Sequence, residues 1–216
     1  MDNDFWKTLT QVLHDAPQES ETWPTPLKGQ RPESDDPAWE AIGSRLHHPT
    51  PAAVLVPIVE RADGLTLLLT KRTAKLADHA GQIAFPGGKV MDSDRSLIHT
   101  ATREAFEEIS LFEHHITPIG YLDTYVSITG YRIVPVVARI SPDIAPIAHP
   151  DEVETVFEVP LSFVLNTAHH QLKSKEWYGR TRFFYAIEYN PWYIWGITAE
   201  IIRDLAIRMN QCVLEK

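Results

Sequence analysis

Cysteine is nearly missing from this 216-residue chain: Cys212 stands alone. No intramolecular disulfide can staple the fold, and no CxxC pair exists for zinc or thiol redox chemistry. Cys212 itself reads as a tail residue without a role. Excess positive charge is missing too, since 20 Lys and Arg face 29 Asp and Glu, a formal charge of −9. A generic nucleic-acid binder needs the reverse, because polyanion affinity comes from cations that neutralise phosphates. A small phosphorylated ligand is still compatible, as divalent cations can sit between it and acidic side chains. No apolar stretch approaches the length of a membrane span. The N-terminus opens on Asp2 and Asp4 rather than on basic residues and an apolar run, so no secretory signal is read there. Internal repeats and low-complexity tracts are absent. These absences predict a cytoplasmic chain without membrane or nucleic-acid partners.

What is present suits one domain with some extra length, because a hydrophobic fraction of 44% supplies a sizeable core. Residues 1–50 read as an N-terminal helical extension and linker, and 51–216 as the main domain. Within the extension, Phe5, Trp6, Leu9, Val12 and Leu13 fall on one face of a short helix. Residues 16–37, rich in Pro, Glu, Ser and Asp, read as a connector, and a second short helix is expected over Pro37 to Leu46.

From Ala52 to Glu60 the run AAVLVPIVE predicts a buried strand. Ala62-Asp63-Gly64 then reads as a hairpin turn and Leu65 to Arg72 as a second strand. A long loop over 73–88 ends in Phe85-Pro86-Gly87-Gly88. A helix is expected from Ser96 to Ile109, with Ser93 or Asp94 as its cap and Leu97, Ile98, Ala101, Ala105 and Ile109 as its apolar side. Further strands are expected over Thr117–Tyr125, Tyr131–Ile140, Thr155–Val159 and Phe183–Tyr189. Pro160 to Leu165 reads as a short helix, and Thr198 to Asn210 as a terminal one. The mixture lacks regular βα alternation, so it predicts an α+β fold, an α/β/α sandwich around a mixed sheet flanked by helices.

Chemistry concentrates in the helix after the Gly-Gly loop. Glu104, Glu107 and Glu108 stand at i, i+3 and i+4, so their side chains leave one face. Such a trio is often only a solvated surface. Here Arg103 precedes it, and a Pro-Gly-Gly loop lies upstream, where backbone can approach a ligand closely. Hard cations such as Mg2+ take few carboxylates, keep waters and share the rest of their shell with phosphates. The cluster therefore has the chemistry to bring activated water onto phosphorus.

Gly88 through Leu111 resembles the Nudix box, the loop–helix signature of hydrolases acting on nucleoside diphosphates linked to another group. The resemblance implies that Glu104, Glu107 and Glu108 bind catalytic Mg2+ or Mn2+, that Arg103 orients the carboxylates, and that a glutamate polarises the attacking water. Asp94 stands where the general pattern has Glu, the gap from Gly88 to Arg103 is one residue longer, and Ser110 replaces the usual Gly. None of these removes an implied ligand.

The stretch before the box, Leu68-Leu69-Thr70-Lys71-Arg72-Thr73 and then His79-Ala80-Gly81-Gln82-Ile83-Ala84-Phe85-Pro86-Gly87-Gly88, resembles the coenzyme A pyrophosphatase branch of that family. The longer gap and Asp94 are usual in that branch. Likeness continues through Gly130–Val137, Asp151-Glu152-Val153 and Ile194–Ala199. Thr73 departs from the branch's Ser, and Ala77 stands where it carries a basic residue. The resemblance implies hydrolysis of coenzyme A to 4'-phosphopantetheine and 3',5'-ADP, possible homodimerisation, and Glu152 as a further catalytic carboxylate that completes the metal site or acts as base. Lys71, Arg72 and Lys75 are expected to meet substrate phosphates, with Gly87 and Gly88 allowing close backbone approach. ADP-ribose, NADH or another nucleoside diphosphate derivative is the alternative substrate class. A non-catalytic nucleotide-binding module is the alternative of another kind. His79, His169 and His170 read as ordinary polar residues, and Trp177, Trp192 and Trp195 as core or interface.

Overall fold

A computed structural model describes residues 2–17, 48–76, 79–127, 129–177 and 179–214. The expected helix over 37–46, and the connector from residue 18 onward, lie outside these. The hairpin strands come first: β1 (Thr50–Arg61) and β2 (Gly64–Arg72) pair antiparallel through Ile58↔Leu67 and Arg61↔Gly64. Gly64, at φ 126, makes the tight turn that the sequence predicts there. The strand β7 (Tyr131–Ile140) then lies parallel to β1 over ten residue pairs, from Thr50↔Tyr131 to Val59↔Ile140.

Around this centre run β3 (Ile83–Ala84), β4 (Gly87–Lys89), β5 (Ile116–Tyr121), β6 (Tyr125–Val126) and β8 (Val153–Pro160), completing a mixed eight-stranded sheet. Both of its faces are covered, which is why β1 reads as a continuous apolar run rather than an alternating one. Ala53, Leu55, Val59 and Leu68 point to one side, against Ala101, Ala105 and Ile109 of α2 (Leu97–Ile109). Val56, Ile58, Leu67 and Leu69 point to the other. There they meet α1 (Asp2–Val12), α3 (Leu161–Leu165) and α4 (Ile197–Leu214). The α/β/α sandwich is therefore as expected.

Helix α1 closes on its own chain. Trp6, Leu9 and Leu13 enter the core on the α4 side. Trp6 Nε1 donates to Glu60 Oε1 at 2.8 Å, and Arg139 covers the ring. Past Tyr121 the run expected as a single strand breaks into β5 and β6. Asp123 leaves the ladder there, because its carboxylate contacts His14 Nε2 and Arg208 Nη2, each at 2.8 Å.

A separate antiparallel sheet, β11–β10–β9, is built from β9 (His170–Trp177), β10 (Arg180–Tyr189) and β11 (Trp192–Trp195). Of these strands the sequence pattern predicts only the core of β10. Much of β9 is polar and exposed, so no hydrophobic alternation announces it. Its pairing with β10, from Ile187↔His170 to Arg180↔Trp177, decides it instead. The terminal helix begins one residue before the expected Thr198 and runs four past Asn210.

Candidate active site

Helix α2 is capped by Ser96, whose hydroxyl accepts from the His99 N–H at 3.1 Å. This corrects the expected cap, Ser93 or Asp94: Asp94 is engaged elsewhere. At the other end Ser110 adopts the left-handed conformation, φ 55, and its N–H reaches back to Phe106 O at 2.9 Å. That is why a glycine would be at home there, and Ser110 supplies the turn without one.

The Asp94 side chain has no solvent exposure. Its carboxylate accepts from the Met91 N–H and the Thr100 hydroxyl, both at 2.9 Å. It also takes both Nε and Nη2 of Arg103, again at 2.9 Å each. The guanidinium holds the Asp94 carboxyl well below the usual carboxylate range, and Asp94 in turn raises Arg103. The remaining Nη1 of Arg103 donates to Glu104 Oε1 and Glu107 Oε2 at 2.9 Å each, while Nη2 also reaches Lys89 O at 3.0 Å. One planar group thus ties the Gly-Gly loop, the turn before α2 and two glutamates into a fixed frame. What sequence reasoning missed is the second half of the device, the pairing of Asp94 with Arg103, whose signal was the place of Asp94 in the box, where the general pattern has Glu.

The three glutamates are not equivalent. Glu107 is 50% exposed, Glu104 15% and Glu108 2%. Burial pushes Glu108 up to about 8, with Glu104 and Glu152 adding repulsion, against the pull of Arg72 and a hydrogen bond from the Gly87 N–H. Burial likewise raises Glu104, Arg103 opposes it, and Glu107 and Glu152 press further in the same direction as burial. A carboxylate is costly in so dry a place unless a cation or hydrogen bonds compensate. For Glu108 compensation is incomplete: Arg72 Nη1 reaches Oε1 at 3.3 Å, while buried Glu108 Oε2 and Arg72 Nε have no hydrogen-bond partner.

Gly87 and Gly88 lie in β4, opposite Val54 and Ala53 of β1. A Cβ on Gly87 would stand 2.5 Å from Ala53 O, and one on Gly88 2.5 Å from the Glu104 carboxyl. Close packing is thus required at both, against β1 for Gly87 and against Glu104 for Gly88. The three expected cations part company. Arg72 reaches the carboxylate helix, Lys71 Nζ is 2.6 Å from Glu154 Oε1, and Lys75 is exposed. Ala77 lies outside the described residues. Glu152 enters from the loop before β8, with its carbonyl accepting from the Thr73 N–H at 2.9 Å, and its charge bears on both Glu104 and Glu108.

The remaining polar candidates behave as ordinary residues. His79 Nδ1 contacts Gln82 Oε1 at 2.9 Å, His169 stacks on Phe163, and His170 Nε2 contacts Val164 O at 2.7 Å. Trp192 stacks on Phe157, and Trp195 sits edge-on to Phe184.

Among the described residues, no three His, Cys, Asp or Glu side chains form a ready-made metal cage. Mg2+ and Mn2+ do not require one, since they keep waters and borrow phosphate oxygens. An all-oxygen donor set with an unpartnered, buried Glu108 oxygen beside Glu104 fits a hard divalent cation.

Against known proteins, the family model described as "NUDIX domain" matches residues 49–180. A curated relative from Cronobacter sakazakii, named "Uncharacterized Nudix hydrolase NudL", is 44% identical over 160 residues, 74% of this chain and 83% of that protein. Its namesake from Escherichia coli O7:K1 is 43% identical over 159 residues, 74% of this chain and 82% of that protein. Among solved structures, a Nudix hydrolase from M. Smegmatis, RenU, shares 21% identity over 52% of this chain and 71% of its own, with a TM-score of 0.45. The family model covers the segment that carries β1, β2, the Gly-Gly loop and the glutamate helix, the relatives are 43–44% identical over 74% of the chain, and on that ground the chain belongs to the Nudix hydrolases.

Proposed function

We propose that this Nudix hydrolase cleaves the pyrophosphate bond of coenzyme A or its acyl derivatives, with Mg2+ or Mn2+, giving 4'-phosphopantetheine (or its acyl form) and 3',5'-ADP. The observation that carries the reading is the buried, incompletely neutralised Glu108 beside Glu104, under a Gly-Gly strand and facing the Arg72 guanidinium. Support for the substrate comes from the 68–88 stretch, which resembles the coenzyme A branch.

In this reading Glu104 and Glu108 hold the cation, with Glu107 at the outer, solvated edge. When bound, the cation supplies positive charge to the phosphoanhydride oxygens and makes water more acidic. Arg72 takes a non-bridging oxygen of the pyrophosphate. Glu152 receives a proton from the water whose oxygen forms the new bond to phosphorus as the bridging P–O bond breaks. Arg103, fixed by Asp94, keeps Glu104 from drifting, so that the carboxylates need no reorganisation during the reaction. Most of the protein's contribution is then positioning and charge neutralisation.

Rates with coenzyme A, ADP-ribose and NADH, each with Mg2+ and with Mn2+, test the proposal. Coenzyme A is expected to be turned over fastest, with 3',5'-ADP as a product. Faster hydrolysis of either other nucleotide would move the assignment to a different nucleoside diphosphate derivative. Nucleotide binding without turnover of any of the three would make the chain a non-catalytic module.

A further inference from the structure

The Arg72–Glu108 pair is a half-made ion pair in a place where half-made pairs are costly. Glu108 is 2% exposed and Arg72 24%, and their one contact, Nη1 to Oε1, is long at 3.3 Å. On each side one buried atom is left over: the acceptor Oε2 on Glu108 and the donor Nε on Arg72. A buried ion pair repays its desolvation only when the remaining lone pairs and protons are also satisfied. Other contacts in the same site show that the chain can satisfy such groups fully. Asp94 meets Arg103 through two 2.9 Å bonds and takes the Met91 N–H and the Thr100 hydroxyl besides. The leftover atoms of Arg72 and Glu108 have opposite needs. Oε2 lacks a cation or donor, and Nε lacks an anion or acceptor.

We propose that Arg72 is a positioning residue that exchanges partners: it holds Glu108 in the unloaded protein, yields it to the divalent cation, and then turns its guanidinium to a pyrophosphate oxygen. The inference rests on the proposed function. A consequence is that metal and pyrophosphate bind with positive coupling beyond direct metal–phosphate contact, because metal binding at Glu108 frees the guanidinium that the anion needs. Before loading, Glu108 competes with pyrophosphate for Arg72, and Arg72 competes with the metal for Glu108. The planar fork of an arginine suits such an exchange, because it can meet two oxygens in one plane, whereas a lysine is a single point charge.

Titration calorimetry with two separate probes tests the exchange. With Mn2+ alone, Arg72→Gln is expected to bind the ion about threefold to tenfold more tightly than wild type, because its competitor at Glu108 is gone. With inorganic pyrophosphate in EDTA, Glu108→Gln is expected to bind about tenfold more tightly than wild type, and the Glu108→Gln/Arg72→Gln double variant to lose that gain. A merely structural Arg72 would weaken both ligands when removed, so unchanged or weaker Mn2+ binding overturns the proposal. Glu104→Gln serves as the charge control. If it gains pyrophosphate affinity as much as Glu108→Gln does, general charge relief is the cause and the exchange is wrong. Far-UV circular dichroism checks that each variant is folded, and Arg72→Lys supplies a second variant expected to restore part of the pyrophosphate affinity. The outcomes separate from the substrate assignment. Turnover of coenzyme A with no opposed shifts removes the exchange and leaves the assignment, while opposed shifts without turnover do the reverse.

Discussion

Arg103 and Asp94 face each other across the start of the glutamate helix in a two-pronged ion pair, Nε to Oδ1 and Nη2 to Oδ2, both 2.9 Å. Because the Asp94 side chain is shielded from solvent, this pair acts as an anchor for the site rather than as surface decoration. It also leaves Arg103 Nη1 free to span Glu104 and Glu107.

Asp94→Ala should therefore cost stability and catalysis together. Stripping Asp94 from the pair leaves Arg103 Nε without its acceptor and the guanidinium with only Glu104, Glu107 and Lys89 O, and a loss of about 3 kcal/mol is expected in urea unfolding. Turnover should fall as well, since Arg103 would no longer fix Glu104. The pH dependence has a definite sign. Arg103 depresses the Asp94 pKa, so its contribution is present above the ordinary carboxylate range and is lost as pH falls toward the folded-state value. A variant as stable as wild type would show that the anchor is not needed.

Gly87 and Gly88 are neighbours with different constraints. A methyl group on Gly87 would press on backbone, Ala53 O at 2.5 Å and Val54 Cα at 2.6 Å, so Gly87→Ala should lower the unfolding midpoint. On Gly88 the methyl group would press on the movable Glu104 carboxyl at 2.5 Å. Gly88→Ala should consequently spare most of the stability and reduce kcat. Reversal of this order in thermal melts and rates would contradict the packing.

Replacing Glu108 or Glu104 by Gln should lower kcat by about a hundredfold or more, because a neutral amide loses most of its pull on a divalent cation. Glu107→Gln, at a half-exposed position, should cost less. Near-normal turnover by purified, folded Glu108→Gln would remove the metal assignment.

Glu200 offers a pH test away from the catalytic residues. Burial in the first turn of α4 pushes its carboxyl up to about 7. A raised acid binds more protons folded than unfolded between its ordinary value and 7, so stability declines as pH rises through that window. Relative to Glu200→Gln, the wild type should lose up to about 3 kcal/mol over that range. Parallel urea-midpoint curves for the two proteins would rule this out.

The sequence alone determined the hairpin β1–β2 and the helix bearing Glu104, Glu107 and Glu108. Each of these rests on local rules: apolar periodicity, a turn glycine, and carboxylates at helical spacing. It did not reveal β9 and β11, whose formation depends on pairing with β10 across the chain. Nor did it set the cap, since Ser93, Asp94 and Ser96 are all competent, and only the fold commits Asp94 to Arg103. The ranking of the three glutamates and the selection of Arg72 over Lys71 and Lys75 were tertiary decisions as well. Spacing tells which side chains share a face. Burial and charge partners depend on what packs over that face, and those neighbours come from distant parts of the chain.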